Sequence, residues 1–95
     1  KINILDVGFG TGLNALCTMN ELKDSKVKVN YIGIEPFPID MSILKQLNFA
    51  EFFDFSDFDE IYNYIHTKPK NNPHYLTENF ILNIIEAKIQ DVHFQ

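Results

Sequence analysis

The sequence predicts an α/β fold of three parallel strands with flanking helices. One observation is that a short apolar run, Ile2–Val7, leads directly into a glycine-rich turn and a run with helical spacing. The other is that further apolar runs follow at 27–34 and 79–86, each separated from the previous one by helix-like sequence. Parallel strands need long crossover connections, so this alternation favours a parallel sheet. The 95 residues fit a single small domain, 1–95.

Ile2–Val7 is apolar enough to be the central strand, covered on both faces. Residues 6–12 read D-V-G-F-G-T-G, and glycines at alternate positions let the backbone turn sharply and approach a ligand closely. A helix is predicted over 11–23, and its N–H groups and positive dipole end would point at that ligand. Its predicted apolar face contains Leu13, Leu16, Cys17 and Asn20. We therefore expect Cys17 to be a small buried residue.

The second strand, 27–34, is closed by Glu35. Pro36 restrains Glu35 to an extended conformation, which holds the carboxylate at a defined angle. Pro38 suits the first position of a helix. The predicted buried stripe of this second helix recurs every four residues, at Ile39, Ile43 and Leu47.

Residues 49–58 are dense in phenylalanine. Acidic rather than basic residues are interleaved with the rings, so the cluster indicates core packing and not base stacking. Ser56 and Asp59 resemble a capping box that begins a third helix, which ends near His66. Its apolar face would consist of Phe58, Ile61, Tyr62 and Ile65.

Residues 67–73 have the composition of a loop, 79–86 form the third predicted strand, and 87–95 form a connection. Three histidines, His66, His74 and His93, match no metal-ligand spacing. We therefore expect no metal site, and solvated loop or helix-end positions for the histidines.

Composition excludes several classes of function. The net charge of −5 gives the segment no general basic surface for nucleic acid. A single cysteine excludes an internal disulfide and a cysteine-only zinc site. With no signal peptide and no apolar run of membrane-spanning length, the expected setting is cytoplasmic and away from membranes.

The spacing of the glycines distinguishes between two nucleotide ligands. In a dinucleotide fingerprint, G-x-G-x-x-G, the third glycine would occupy position 13, which is Leu13 here. Glycine falls one residue earlier, at Gly12, and Glu35 follows 35 − 12 = 23 positions later, where a ribose-binding carboxylate belongs. The alternative interpretation is a tight connection followed by an ordinary surface glutamate.

The pattern D-x-G-x-G-x-G resembles motif I of the S-adenosylmethionine-dependent methyltransferases. More closely, residues 7–14, V-G-F-G-T-G-L-N, and 34–38, I-E-P-F-P, resemble the methyltransferase module of the tRNA 5-methylaminomethyl-2-thiouridine biosynthesis (MnmC) family. The resemblance covers roughly the first forty residues. It implies a Rossmann-like methyltransferase fold, of which this chain contains the N-terminal, cofactor-binding part.

That resemblance implies transfer of a methyl group from S-adenosylmethionine to the aminomethyl group of a modified wobble uridine in tRNA. Transfer RNA would be contacted through regions outside this chain, and an FAD-dependent oxidase, fused or separate, is the implied partner. The turn and the resemblance together predict these cofactor-binding residues: Asp6, Gly8, Phe9, Gly10, Thr11, Gly12, Asn14, Glu35 and Pro36.

At two places this sequence differs from the family pattern, so the family's residue roles are not assigned to it there. The family places an acidic residue near the adenine, where this chain has Ala87 and Lys88, with Asp91 three residues later. The family's D-G/A-F-A-P segment near the transferred methyl would lie beyond Gln95, and the catalytic residue is expected there. We therefore expect the segment alone to be inactive. Two alternatives stay open: a methyltransferase of the same fold with a small-molecule or protein substrate, and a truncated non-catalytic binding or association domain.

Overall fold

A computed structural model of the chain describes residues 1–22, 24–47, 49–53, 58–67 and 69–92. The capping-box residue Ser56 lies outside the described residues, and the two short 3-10 turns span Phe49–Phe52 and Ile89–Asp91. The helices and strands are β1 (Ile2–Val7), α1 (Leu13–Leu22), β2 (Val29–Ile34), α2 (Met41–Leu44), α3 (Phe58–Thr67), β3 (Pro73–Thr77) and β4 (Phe80–Ile85). None of the helices in these ranges is long and apolar enough to cross a membrane.

The sheet is mixed, with strand order β1-β2-β4-β3. The three predicted strands are confirmed as parallel neighbours: β1 pairs with β2, and β2 pairs with β4. Val7, Ile34 and Ile85 lie opposite one another, so all three strands end at the same edge of the sheet. The chain is therefore a small α/β domain whose polar loops meet at the carboxyl ends of its parallel strands.

Two features of the sheet differ from the prediction. β3 was not predicted; it pairs antiparallel with β4 as a hairpin that contains a register shift between Tyr75 and Thr77. Proline is tolerated at the first residue of an edge strand, which is where Pro73 stands. In addition, β1 lies at the edge of the described sheet and not at its centre.

The hydrophobic core lies on one face of the sheet, where α1 and α3 pack. Alternate residues of β2 and β4 point into it, because successive strand side chains face opposite sides. Its buried members are Phe9, Ala15, Leu16, Met19, Val29, Tyr31, Phe58, Ile61, Ile65, Phe80, Leu82 and Ile84. Phe49 and Phe53 pack against this cluster, and Phe53 stacks on Phe58 with centroids 5.5 Å apart. Core packing is thus confirmed for Phe49, Phe53 and Phe58 of the phenylalanine-rich segment.

The buried side of α1 differs from the predicted one. Its buried residues are Ala15, Leu16 and Met19, whereas Cys17 is exposed and Leu13 is 41% exposed. The expectation of a buried Cys17 is therefore wrong. Ala15, Leu16 and Met19 follow the i, i+1, i+4 spacing of a helix face. Because this face of α1 packs on the core, Leu13 and Cys17 lie on the solvent side of the helix.

The second predicted helix is reduced to one turn. Met41, not Pro38, is its first residue; Asp40 is the N-cap, and its side chain accepts a hydrogen bond from the Ser42 N–H at 3.0 Å. Leu44 is buried while Ile43 is 53% exposed, so the predicted stripe of every fourth residue is wrong here. The Leu44 carbonyl accepts the Tyr62 hydroxyl at 3.0 Å, which ties this turn to α3.

The second face of the sheet carries apolar side chains that do not belong to the core cluster. Leu5 and Val7 are 50% and 58% exposed, and Ile32, Ile81 and Ile85 are partly exposed. Within the described part of the chain, β1 pairs on one side only. An unpaired strand edge beside exposed apolar surface favours association with another chain or segment.

Phe9 fills the space between the glycine-rich turn and β2. Phe9 is 5% exposed, and its ring packs directly on Gly33, where an added Cβ would overlap Phe9 Cδ1. The same ring lies 3.1 Å from the position of a Cβ on Gly12. Gly33 is therefore needed for space rather than for backbone conformation, because only a residue without a Cβ admits the ring.

We expect Gly33→Ala to lower the free energy of unfolding by about 2–3 kcal/mol, because the added methyl overlaps the Phe9 ring. Urea unfolding of the wild type and the variant measures this. Phe9→Ala removes the Cγ and Cδ1 atoms that the added methyl overlaps, so the double variant should lose less than the sum of the two single losses. Strict additivity would show that the contact is not the cause.

We also expect the 95-residue chain to self-associate through its open sheet face, and Leu5→Lys to shift it toward monomer. Ile43→Lys is the matched control, since Ile43 on α2 is 53% exposed and Leu5 is 50% exposed. Sedimentation velocity distinguishes the variants. A monomeric wild type with a sharp, cooperative thermal transition would contradict the expectation.

Candidate functional site

The carboxyl ends of β1 and β2 bring the glycine-rich turn beside Glu35. The amides of Gly8 and Phe9 both donate to the Ile34 carbonyl, at 2.8 and 3.2 Å, so the chain leaves β1 against the end of β2. Glu35 is anchored from the other side, where its N–H donates to the Ile85 carbonyl at 2.9 Å. The pairing of β1 with β2 thus holds Gly10 next to Glu35, although the two residues are 25 positions apart in the sequence.

The turn requires glycine at three positions. Gly8, Gly10 and Gly12 have φ values of 81°, 57° and 85°, in the left-handed region that side chains rarely adopt. A Cβ on Gly8 would meet nothing within 4 Å, and one on Gly10 would meet only the Gly8 carbonyl oxygen, at 3.8 Å. The turn therefore offers an open backbone surface at Gly8 and Gly10, while Gly12 packs inward on Phe9.

The turn continues directly into α1. The Gly12 N–H donates to the Phe9 carbonyl at 3.1 Å, and the Leu16 N–H donates to the Gly12 carbonyl at 3.0 Å, the first helical bond. The amides of the first helical turn have no carbonyl one turn earlier to bond. They and the positive end of the dipole lie at the turn, where they favour an anionic group.

Glu35 is oriented by two backbone amides. Its Oε1 accepts the Gly10 N–H at 2.7 Å and its Oε2 accepts the Phe37 N–H at 3.2 Å. Each carboxylate oxygen has a second acceptor position. Glu35 can therefore accept two more hydrogen bonds from neighbouring hydroxyl groups without leaving the turn.

Asp6 and Phe9 are engaged within the protein. The Asp6 carboxylate accepts the Tyr31 hydroxyl at 2.6 Å, and the Phe9 side chain lies in the core. Burial, together with the hydrogen bond to Asp6, raises the pKa of Tyr31 above its ordinary value. Tyr31 thus stays a neutral donor, and only the backbone of Phe9 borders the open side of the turn.

The remaining predicted residues with side chains, Thr11, Asn14 and Pro36, lie in the turn or next to it. Asn14 is exposed in the first turn of α1, and Pro36 is partly exposed directly after Glu35. Thr11 contributes a backbone carbonyl, which bonds to His66 of α3. The structure therefore brings the whole predicted set to one edge of the sheet.

His66 belongs to this site although the sequence placed it among solvated helix ends. Its Nε2 lies 2.7 Å from the Thr11 carbonyl oxygen, and its ring packs on Tyr62 with centroids 4.9 Å apart. His66 does lie at the predicted helix end, in the last turn of α3, but the expectation of a merely solvated role is wrong for it. The available signal was its position four residues after Tyr62, which places both rings on one side of α3.

Lys70 is the second residue that sequence reasoning missed. Asn71, with φ of 66°, turns the loop after α3 back onto β4: its N–H donates to the Ile84 carbonyl at 2.7 Å and its side chain accepts the Glu86 N–H at 3.1 Å. A cavity of about 30 Å³ results, with room for about one or two water molecules. It is lined by Phe9, Gly10, Glu35, Pro38, Ile39, His66, Lys70 and Ile84.

Within the described ranges, no group of three or more histidine, cysteine, aspartate or glutamate side chains could hold a metal ion. His74 bonds the Pro69 carbonyl at 2.9 Å, and His93 lies outside those ranges.

No protein-family model, no curated protein and no solved structure matches this chain. The geometry of the turn and of Glu35, together with the motif resemblance, therefore carries the functional argument.

His66 predicts a pH dependence of stability. Burial lowers the pKa of His66 below its ordinary 6.5; Lys70 lowers it further, and the hydrogen bond to Thr11 partly opposes the shift. As pH falls below about 6.5, the unfolded chain takes up a proton that the folded chain resists, so the free energy of unfolding decreases. This stability is complete above that pH and is lost as pH falls through the folded pKa.

Urea unfolding between pH 7.5 and pH 5 (roughly the range over which histidine titrates) should show a smaller decrease in His66→Phe than in the wild type. All carboxylates and the other two histidines remain in both proteins, so the difference reports His66. Equal pH slopes would contradict the assignment.

Proposed function

We propose that this chain is the cofactor-binding part of an S-adenosylmethionine-dependent methyltransferase. The observation that carries the proposal is the pairing of an open, left-handed glycine turn with a carboxylate held 2.7 Å from its central amide. The turn would accommodate the amino-acid part of the cofactor, and Glu35 would accept the ribose hydroxyls.

The donor set fits the cofactor. The backbone at Gly8 and Gly10 has open space where a Cβ would stand, so a ligand can lie against it. The α1 N-terminus favours the ligand's carboxylate. Glu35 retains acceptor capacity for a vicinal diol. Position 13, where a dinucleotide site needs glycine for close packing, is occupied by Leu13, which is 41% exposed.

When bound, the cofactor would supply a methyl group activated by its sulfonium. The chain's own residues would then hold the methyl donor in place, because methyl transfer depends on the alignment of donor and acceptor and on the exclusion of water. The glycine turn and Glu35 would fix the position of the methyl donor.

The acceptor we propose is the aminomethyl group of a modified wobble uridine in tRNA, on the basis of the resemblance of residues 7–14 and 34–38 to the MnmC family. With a net charge of −5, this segment would leave the grip on tRNA to other regions. The same resemblance suggests an FAD-dependent oxidase as a fused or separate partner. A cytoplasmic location accords with this role.

A second candidate is a non-catalytic association domain. The open sheet face, with Leu5 50% exposed and Val7 58% exposed, favours it. In that case the glycine turn would serve only as a tight connection.

Isothermal titration of S-adenosylhomocysteine and of NAD, against the longest soluble polypeptide that contains these residues, tests the proposal. We expect only S-adenosylhomocysteine to bind. Glu35→Ala removes a charged acceptor, so affinity should fall roughly 10- to 100-fold, corresponding to about 1.5–3 kcal/mol.

Glu35→Gln keeps an acceptor for the Gly10 amide but removes the charge, so it distinguishes a ribose contact from a loss of turn geometry. Glu21→Gln, on an exposed residue of α1, is the charge-matched control and should bind as the wild type does. Binding of neither ligand to a folded protein would reject the cofactor site and favour the association domain.

A further inference from the structure

The peptide between Thr11 and Gly12 is held at both ends. The Gly12 N–H donates to the Phe9 carbonyl at 3.1 Å, within the turn itself. The Thr11 carbonyl oxygen lies 2.7 Å from His66 Nε2, a group 55 positions away on α3. A carbonyl oxygen only accepts, so Nε2 carries the proton and donates.

The backbone around this peptide is conformationally free, because glycines stand on both sides of Thr11. Gly10 and Gly12 both lie in the left-handed region, with φ of 57° and 85°. Glycine reaches either sign of φ at little cost, so within the turn this peptide is oriented chiefly by the bond from the Gly12 N–H to the Phe9 carbonyl. The hydrogen bond from His66 of α3 adds a second tie, at the carbonyl end of the same peptide.

The direction of the Thr11 carbonyl matters for the ligand. Toward α3 it meets the His66 donor; rotated to the open side of Gly8 and Gly10, it would place a negative oxygen where N–H groups face an anion. Glu35 holds the turn from the opposite side by accepting the Gly10 N–H at 2.7 Å. Glu35 thus orients the Gly10 N–H, and His66 orients the Thr11 carbonyl.

His66 is itself held firmly enough for this role. Its ring packs edge-on against Tyr62, with centroids 4.9 Å apart, and against Phe9, at 6.4 Å. Tyr62 is anchored by its hydroxyl, which donates to the Leu44 carbonyl at 3.0 Å. A Cβ on Gly12 would lie 3.6 Å from His66 Nε2, so the imidazole also packs against the turn.

We propose that His66 is a positioning residue of the glycine turn: its Nε2–H holds the Thr11 carbonyl toward α3 and so keeps the turn in its ligand-binding conformation. The identity of the ligand rests on the proposed function. The positioning itself does not, because it is a property of the ligand-free turn.

Two variants separate the hydrogen bond from packing. His66→Phe keeps a ring against Tyr62 and Phe9 but has no donor, whereas His66→Gln keeps an amide donor at about the same reach. Amide hydrogen exchange of the ligand-free protein should be roughly 2- to 12-fold faster at residues 10–12 in His66→Phe, the ratio expected from one net hydrogen bond. It should be near wild type in His66→Gln, with exchange across Phe80–Ile85 unchanged in both.

S-adenosylhomocysteine affinity should follow the same order, with a loss of about 2- to 12-fold in His66→Phe and nearly full affinity in His66→Gln. Failure of the wild type to bind S-adenosylhomocysteine would reject the proposed function, while the exchange result would still decide the positioning role. Equal acceleration at residues 10–12 and in β4 would overturn the proposal, as would equal loss in both variants.

A measurement on the wild type alone guards against a variant that fails to fold. Nitrogen-15 shifts of the imidazole should report the Nε2–H tautomer, with a scalar coupling across the hydrogen bond to the Thr11 carbonyl carbon. A neutral His66 that carries its proton on Nδ1 would overturn the proposal.

Discussion

The in-register parallel pairing of β1 with β2 is the constraint on which the site depends. Because Val7 lies opposite Ile34, the residues that follow each strand emerge side by side, and Gly10 meets Glu35 across a single hydrogen bond of 2.7 Å. A shift of register by one residue would move Glu35 to the other face of the sheet. The apolar pattern of β2, which buries Val29 and Tyr31 under the helices, prevents that shift.

Aromatic packing connects this edge of the sheet to the core. Phe9 leaves the turn and fills the space above Gly33, where it contacts Tyr31 at 6.4 Å and His66 at 6.4 Å between ring centroids. Tyr31 in turn bonds Asp6 at the end of β1. The turn is therefore supported by buried side chains beneath it, while its backbone at Gly8 and Gly10 stays open. Preorganisation of this kind reduces the ordering cost of binding.

The charges around the glycine turn are set by a few nearby residues and not by the net charge of the chain. α1 has no acidic residue in its first turn, and the carboxylate of Glu35 accepts the Gly10 N–H in the turn that precedes the helix. Lys70 lines the same cavity from the loop after α3. Glu35, His66 and Lys70 thus line one small cavity beside the glycine turn.

The sequence by itself determined the strand–turn–helix unit and the position of Glu35, because both depend on local properties: the conformational freedom of glycine, an apolar run and strand length. It also indicated that the phenylalanine-rich segment packs in the core. Only the tertiary structure decided the edge position of β1, the exposure of Cys17, the shortness of α2 and the β3–β4 hairpin. The bond between His66 and Thr11 belongs to the same group, since it joins residues 55 positions apart and exists only when α3 packs over the turn. Such features depend on which faces meet, and no local pattern specifies that.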